Sequence, residues 1–270
     1  MIDKNMWKTA SRLFISERAE MVSRRPSPEE LCYVSAKDPR TWRAWCDAGT
    51  YSALVADLLN HAAAGPVSTV LEVGCAAGLL AQGIASRVRQ YTGIDISRPA
   101  LAVARSLSIP NAHFQFADAA RLPFPHEAFD AVLCCDVFNN FPSFEDCASI
   151  IREMLRVTRA GGKVVIGAVP DLARKDAFTE ALPEIDRKLD ARYGPRDNNK
   201  SPSLRRPGIV ARIRSLLAPT KPGFLNQYFS AEDFMRFGAE NKVSTEIAEL
   251  HSLHPFAGFR INVVYAKLPS

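Results

Sequence analysis

At 270 residues, the chain has room for one large domain with an insertion or two small ones. Apolar content of 47% and charged content of 23% are ordinary for a globular protein, and a net charge of +5 permits an anionic ligand without requiring one. The six cysteines form no C-x-x-C pair, which argues against zinc or a redox dithiol, and no metal site is expected. No apolar run is long enough to span a bilayer and no apolar segment follows Lys4 and Lys8, so a cytoplasmic protein is expected.

The chain opens with a loosely helical spread of apolar residues over Met6–Val22, broken by Arg24-Arg25-Pro26. Pro28-Glu29-Glu30 suits a short helical turn. Asp38-Pro39 opens a helix that carries Trp42, Trp45, Tyr51, Leu54, Val55, Leu58 and Leu59 at helical spacing. Those aromatics read as core packing, with Tyr51 the candidate for covering a ligand. Gly65-Pro66 closes this region.

From Val67 strands and helices alternate, the pattern of a doubly wound parallel sheet. Strand one, Thr69–Val73, runs into a turn over Gly74–Gly78 and a helix from Leu79 to Val88. Glycines there permit unusual backbone angles and close approach of a ligand. The helix start offers unpaired N–H groups. Strand two, Gln90–Ile96, carries an acid near its end, Asp95, at roughly the spacing a nucleotide-binding fingerprint requires. A carboxylate in that place accepts both ribose hydroxyls. Ser97 caps the next helix, with Pro99 in its first turn, and strand three is His113–Phe116. Strand four is Phe129–Asp136, Phe144–Thr158 is an amphipathic helix, and Lys163–Val169 is strand five.

Glu72-Val73-Gly74-Cys75-Ala76-Ala77-Gly78 resembles the first motif of the class I S-adenosylmethionine (SAM)-dependent methyltransferases, departing from it at Ala76, where glycine is usual. The last glycine falls too early for the G-x-G-x-x-G of a pyrophosphate site, which sets a nicotinamide cofactor aside. Asp118-Ala119 with Leu122-Pro123-Phe124, and Phe129-Asp130-Ala131-Val132, are similar to later motifs of the same family. The resemblance covers about residues 67–170. It implies a seven-stranded, mostly parallel sheet with helices on both faces and a C-terminal antiparallel hairpin. It implies SAM as cofactor, with Gly74, Cys75, Ala76 and Gly78 at the methionine end and Glu72 either holding the turn or reaching the methionine amino group. Asp95 and Ile96 would lie at the ribose, Asp118 and Ala119 at the adenine, and Asp136 near the methionine or the substrate. Asn139 and Asn140 stand where many relatives have a histidine, and an amide orients a nucleophile but takes no proton at neutral pH.

Residues 171–227 depart from the family core. A helix over Lys175–Tyr193 precedes a loop, and Arg196, Lys200, Arg205, Arg206, Arg212 and Arg214 face only Asp197 in that interval. This reads as a lid whose Arg205 and Arg206 suit a phosphate-bearing substrate. Ile209–Leu217 is a candidate short helix. Ser230 opens the last helix, and Thr245–Leu250 and Arg260–Ala266 form the closing hairpin, with His251 and His254 in its connection. The expected organisation is a helical cap over 1–64, a SAM-binding core over 65–170, a lid over 171–227 and completion of the sheet over 228–270.

The expected activity is methyl transfer to an O or N atom of a small polar metabolite, favoured a saccharide or a nucleotide- or lipid-linked sugar. An RNA or protein methyltransferase and a catalytically inactive SAM-fold scaffold are the alternatives. Nucleic acid is the less expected partner, since the charge is modest and no nucleic-acid module is visible. Candidate catalytic residues are Asn139, Tyr228 and His254, and candidate substrate residues are Asn140, Arg205 and Arg206.

Overall fold

The computed structural model describes residues 6–22, 26–35, 38–195 and 227–269. The loop arginines, Arg205 and Arg206 among them, and the Ile209–Leu217 helix lie outside the described residues. A seven-stranded sheet of order β3-β2-β1-β4-β5-β7-β6 forms the centre. Its strands are β1 (Thr69–Val73), β2 (Gln90–Asp95), β3 (Ala112–Phe116), β4 (Phe129–Cys135), β5 (Thr158–Pro170), β6 (Ser244–Glu249) and β7 (Arg260–Ala266). All neighbours from β3 across to β5 are parallel, and β7 pairs antiparallel with both β5 and β6. The order reverses between β1 and β4, and it is outside the carboxyl ends of strands at such a switch point that open α/β sheets hold ligands.

Alternation along the strands divides the core in two. Leu71, Val73, Ile94 and Val132 face α7 (Phe144–Val157) and α9 (Ala231–Glu240), packing on Ile151, Met154 and Phe234. Val70, Tyr91, Leu133 and Val165 face α4 (Ala48–His61) and α5 (Leu79–Ala85), packing on Val55, Leu58 and Ile84. Glu72 shares the parity of Val70, so it too points to the α4–α5 side.

The helix expected from Asp38 is two helices. Asp38 caps α3 (Pro39–Cys46), accepting from the Arg40 N–H, and Asp47 caps α4, accepting from the Thr50 N–H at 2.8 Å. A second capping aspartate restarts the helix in a new direction. α1 (Met6–Glu20), α2 (Pro28–Ser35) and α6 (Arg98–Ser106) meet the glycine turn in a third cluster: Ala19, Val22, Leu31 and Val34 pack around Ala77, Leu79 and Ala100. α8 (Lys175–Tyr193) lies on α3, held by Arg40–Asp186 at 2.7 Å and Arg43–Asp190 at 2.8 Å. Of these outer layers, α1 and α2 reach the wall of the cavity at the strand ends, and α8 does not.

Tyr51 does not line the cavity at the strand ends. Its hydroxyl donates to the Leu79 carbonyl at 2.7 Å and accepts from the Gly83 N–H at 2.8 Å, tying α4 to α5. Gly83 is small for that reason: a Cβ there would lie 2.9 Å from the Tyr51 ring.

Candidate active site

The carboxyl ends of β1, β2 and β4 open on a cavity of about 210 Å³. Gly74 begins the turn at φ +83°, and a Cβ there would sit 2.6 Å from Val137 Cγ2. The turn is held from β2: the N–H groups of Gly74 and Cys75 both donate to the Ile94 carbonyl, at 2.8 and 3.0 Å. Asp95 bonds in two directions, accepting from the Ala76 N–H at 2.9 Å and the Ser97 N–H at 2.8 Å. Burial raises its pKa, and these backbone donors work in the opposite direction.

Of the residues expected at the cofactor, Gly74, Ala76, Asp95, Ile96, Asp118, Ala119 and Asp136 lie on the cavity wall, as does Asn140. Glu72, Cys75 and Gly78 do not. Glu72 accepts a short hydrogen bond from the Tyr91 hydroxyl on the far face of the sheet, and burial pushes its pKa up to about 7. Cys75 turns its sulfur onto Gly93 of β2, where a Cβ would meet it at 2.8 Å. Gly78 starts α5 at φ +82°, against Leu107 and Ala104 of the α6 side, so its missing side chain serves packing there. Asp118 lines the cavity and also closes a turn, its carboxylate accepting from the Ala120 N–H at 3.1 Å.

Three non-glycine residues with left-handed backbone surround the strand ends: Ala76 (φ 45°), Asp136 (φ 53°) and Ala168 (φ 58°). Such conformations persist where the surroundings enforce them. Asp136 donates its N–H to the Gly167 carbonyl at 3.0 Å and takes a 2.6 Å hydrogen bond from Arg260 Nη1. Arg260 also donates to the Ala168 carbonyl at 3.2 Å, and the Ala168 N–H donates to Asn262 Oδ1 at 3.1 Å. The head of β7 thus braces the end of β4. Sequence reasoning gave Arg260 no role. A charged residue heading a buried, mostly apolar strand was the available signal.

Residues from outside the core close the cavity: Phe14 and Ile15 of α1 and Ser35 of α2. Sequence spacing gave no reason to bring them there. Contact with the glycine turn and α6 does so. Ser16 reaches Ser97 across this junction, hydroxyl to hydroxyl, at 2.9 Å.

The named catalytic candidates are scattered. Asn139 is buried, its amide 3.4 Å from Asp136 Oδ1, and it is not on the cavity wall. Tyr228 packs beside Lys175, whose ammonium is 5.6 Å from its ring, and lines neither this cavity nor the one beyond Asp136. Its neighbour Phe229 takes the inward place through a bridge to Asp171. His254 is buried, and desolvation together with the Arg260 charge lowers its pKa to about 3. A histidine that resists protonation so strongly is a poor base.

Residues 71–166 match the family described as a methyltransferase domain. They carry that family's sequence on a class I methyltransferase fold. A ubiquinone biosynthesis O-methyltransferase of Alkalilimnicola ehrlichii is 35% identical over 104 residues, 37% of this chain and 41% of that protein. One of the same name from Stutzerimonas stutzeri is 31% identical over 113 residues, 40% of this chain and 47% of the relative. The match therefore spans less than half the length of these curated relatives. Among solved structures, the YcgJ protein of Bacillus subtilis aligns with a TM-score of 0.52 at 15% identity, over 82% of this chain and 99% of that one. The [4+2]-cyclase SpnF aligns at 0.54 and 16% identity, over 87% and 86%. These likenesses establish the Rossmann-like methyltransferase fold and say nothing of the acceptor.

The cavity fits the cofactor of such a domain. Gly74 and Ala76 bring the backbone of the turn to the cavity wall, and a buried carboxylate, Asp95, sits at the end of β2. Two wall residues, Ser35 and Asn140, each carry a buried oxygen with no hydrogen-bond partner among the described residues. Buried polar atoms of that kind ordinarily have a partner, so a polar ligand is expected beside them. No group of three or more metal-ligating side chains occurs among the described residues, and no described helix is long and apolar enough to cross a membrane.

Proposed function

We propose that this chain transfers a methyl group from SAM to an oxygen of a small molecule. The observation that carries the reading is the position of Asp95, a buried carboxylate on the cavity wall whose two oxygens are fixed by backbone N–H groups of the glycine turn and of the α6 cap. Asp95 would hold the ribose hydroxyls, Asp118 and Ala119 the adenine, and the backbone at Gly74 and Ala76 the methionine end. Asn140 would lie toward the acceptor. The choice of oxygen follows the names of the relatives, both O-methyltransferases.

The cofactor supplies an activated methyl group on a sulfonium, a good leaving group. The protein's share is alignment and exclusion of water. Holding the acceptor in line at near-attack distance contributes roughly 7–11 kcal/mol. The strained end of β4, braced by Arg260, gives Asp136 one fixed position at the cavity wall, which suits that task. The saccharide expectation leans on Arg205 and Arg206, which the described residues do not include.

A second reading keeps the fold and drops the methyl transfer, because a [4+2]-cyclase is among the structures that align. Incubation with methyl-labelled SAM and a panel of hydroxylated and aminated small molecules decides between them. The proposal expects label in an O-methyl product together with S-adenosylhomocysteine. SAM bound but unconsumed across the panel would favour the second reading.

A further inference from the structure

Of the six free cysteines, Cys32 and Cys46 are joined by a hydrogen bond, the Cys32 thiol donating to the Cys46 sulfur. Cys32 lies in the middle of α2 and is fully buried, whereas Cys46 ends α3 and is partly exposed. Both belong to the cluster that packs around the glycine turn, Cys32 inside it and Cys46 against it. No C-x-x-C spacing announces this pair. The packing of α2 on α3 makes it, so the expectation of no redox dithiol, drawn from spacing alone, does not reach it.

The two sulfurs differ in a way that suits oxidation. The thiolate is the form that attacks an oxidant, and access decides which thiolate does so. At Cys46 the bond from Cys32 lowers the pKa, against opposition from burial and from the Glu29 carboxylate. At Cys32 the same bond raises the pKa, and burial adds to it. Cys46 is thus the accessible sulfur that gives up its proton first, and Cys32 is the buried sulfur beside it. The other four are placed differently. Cys75, Cys134 and Cys147 are buried, and burial raises the pKa of each thiol. Cys135 touches the cavities on both sides of Asp136, but burial and then Glu72 keep its thiol protonated.

We propose that Cys46 and Cys32 form a reversible disulfide, Cys46 being the sulfur that meets the oxidant and Cys32 the one that displaces the oxygen from it. The oxidant class is a small hydroperoxide, hydrogen peroxide in the simplest case. The Cys46 sulfur attacks one peroxide oxygen. An S–O bond forms, the O–O bond breaks, and hydroxide leaves with the Cys46 proton as water. The Cys32 sulfur then attacks the Cys46 sulfur. The S–S bond forms, the S–O bond breaks, and a second hydroxide leaves with the Cys32 proton as water. The two thiols lose two electrons in all, and one peroxide becomes two waters. The bridge ties together two helices that serve different cavities. α2 carries Ser35, about one turn beyond Cys32, on the wall of the cofactor cavity. α3 lends Thr41 and Trp45 to the smaller hollow of about 50 Å³ beyond Asp136.

The test treats the reduced full chain with hydrogen peroxide, blocks the remaining thiols with iodoacetamide and reads the digested protein by mass spectrometry. The peptides carrying Cys32 and Cys46 should appear joined, two hydrogens lighter than their sum, and dithiothreitol should separate them. Cys46 should be consumed about tenfold faster than Cys135, or more. In Cys32→Ala the bridge cannot close, and Cys46 should accumulate as a sulfenic acid that dimedone traps. In Cys46→Ser, Cys32 should stay a thiol. Oxidised wild type should unfold at a higher urea concentration than reduced wild type, because the bridge closes a loop in the unfolded chain. Recovery of Cys32 and Cys46 as free thiols after Cys135 has reacted overturns the proposal, as does a bridge from either to another cysteine. A bridge that lowers the urea midpoint overturns it too, since native packing would then not bring the pair together.

Discussion

On one side of Asp136 the wall is made mainly of strand ends and the turns that follow them, between Val73 and Ile150. On the other, residues from Thr41 to Asn262 come together: one side of α3 and α4, the ends of β4 and β5, and the loop before β7. The first region holds its ligand-facing groups by backbone hydrogen bonds to neighbouring strands, as Asp95 and the glycine turn do. The second positions side chains on a loop, each imidazole oriented by an N–H two residues on. Transfer chemistry that is common to a fold can be built into the sheet. Loops and outer helices tolerate substitution with less disturbance of the sheet.

The largest effect expected is from Asp95→Ala. It leaves the N–H groups of Ala76 and Ser97 without their acceptor, at about 1–3 kcal/mol for each buried group, and removes the ribose carboxylate. Stability should fall by about 3 kcal/mol in urea denaturation, and affinity for S-adenosylhomocysteine by about a hundredfold, or about 2.7 kcal/mol. Unchanged affinity in folded Asp95→Ala protein would mean that this carboxylate does not face the ligand.

Next in size is the pH dependence set by Glu72, which supports the cofactor side from behind. Its pKa rises from 4.5 to about 7 in the folded state, chiefly through burial. Between those values the folded protein holds a proton that the unfolded chain has lost, so stability falls as pH rises through the window. The full effect is roughly 3 kcal/mol. Glu72→Gln, whose amide oxygen can still accept from Tyr91, should flatten that slope. An unchanged slope in denaturation curves taken across the window would show that Glu72 is ionised throughout.

The smallest effect sharpens the comparison at one atom. Ala76 carries a Cβ at φ 45°, a conformation that costs an L-residue about 1–2 kcal/mol. Ala76→Gly relieves this but frees the unfolded chain by about 0.4–1 kcal/mol. A net gain of about 0.5 kcal/mol is expected, visible as a small rise in the denaturation midpoint, with cofactor affinity unchanged or higher. Weaker cofactor binding would mean that the methyl group of Ala76 touches the ligand favourably.

Much of the sheet was legible because its signals are local. Thr69–Val73, Arg260–Ala266 and the helix over Lys175–Tyr193 have the expected bounds, since apolar runs, turn residues and caps lie next to each other in the chain. The two-helix form of 39–61 was missed because Asp47 caps in the middle of a continuous apolar pattern. Within the site, Gly74 and Asp95 were readable from the turn and the strand end. Ser35, Phe14 and Ile15 were not, because they reach the cavity only through packing of α1 and α2 on the glycine turn. Glu72 was expected to hold the turn or reach the methionine amino group; it lies off the cavity wall, as its parity with Val70 along the strand implies. His254 was noticed for its residue type, but whether it donates or accepts depends on the Phe256 N–H and on Arg260, which only the folded loop brings together.

Calorimetric titration of the purified protein with S-adenosylhomocysteine tests the central claim most directly. The account predicts saturable binding of micromolar affinity, about −8 kcal/mol, lost in Asp95→Ala. No binding by folded wild-type protein would contradict the assignment of the cavity at the ends of β1, β2 and β4.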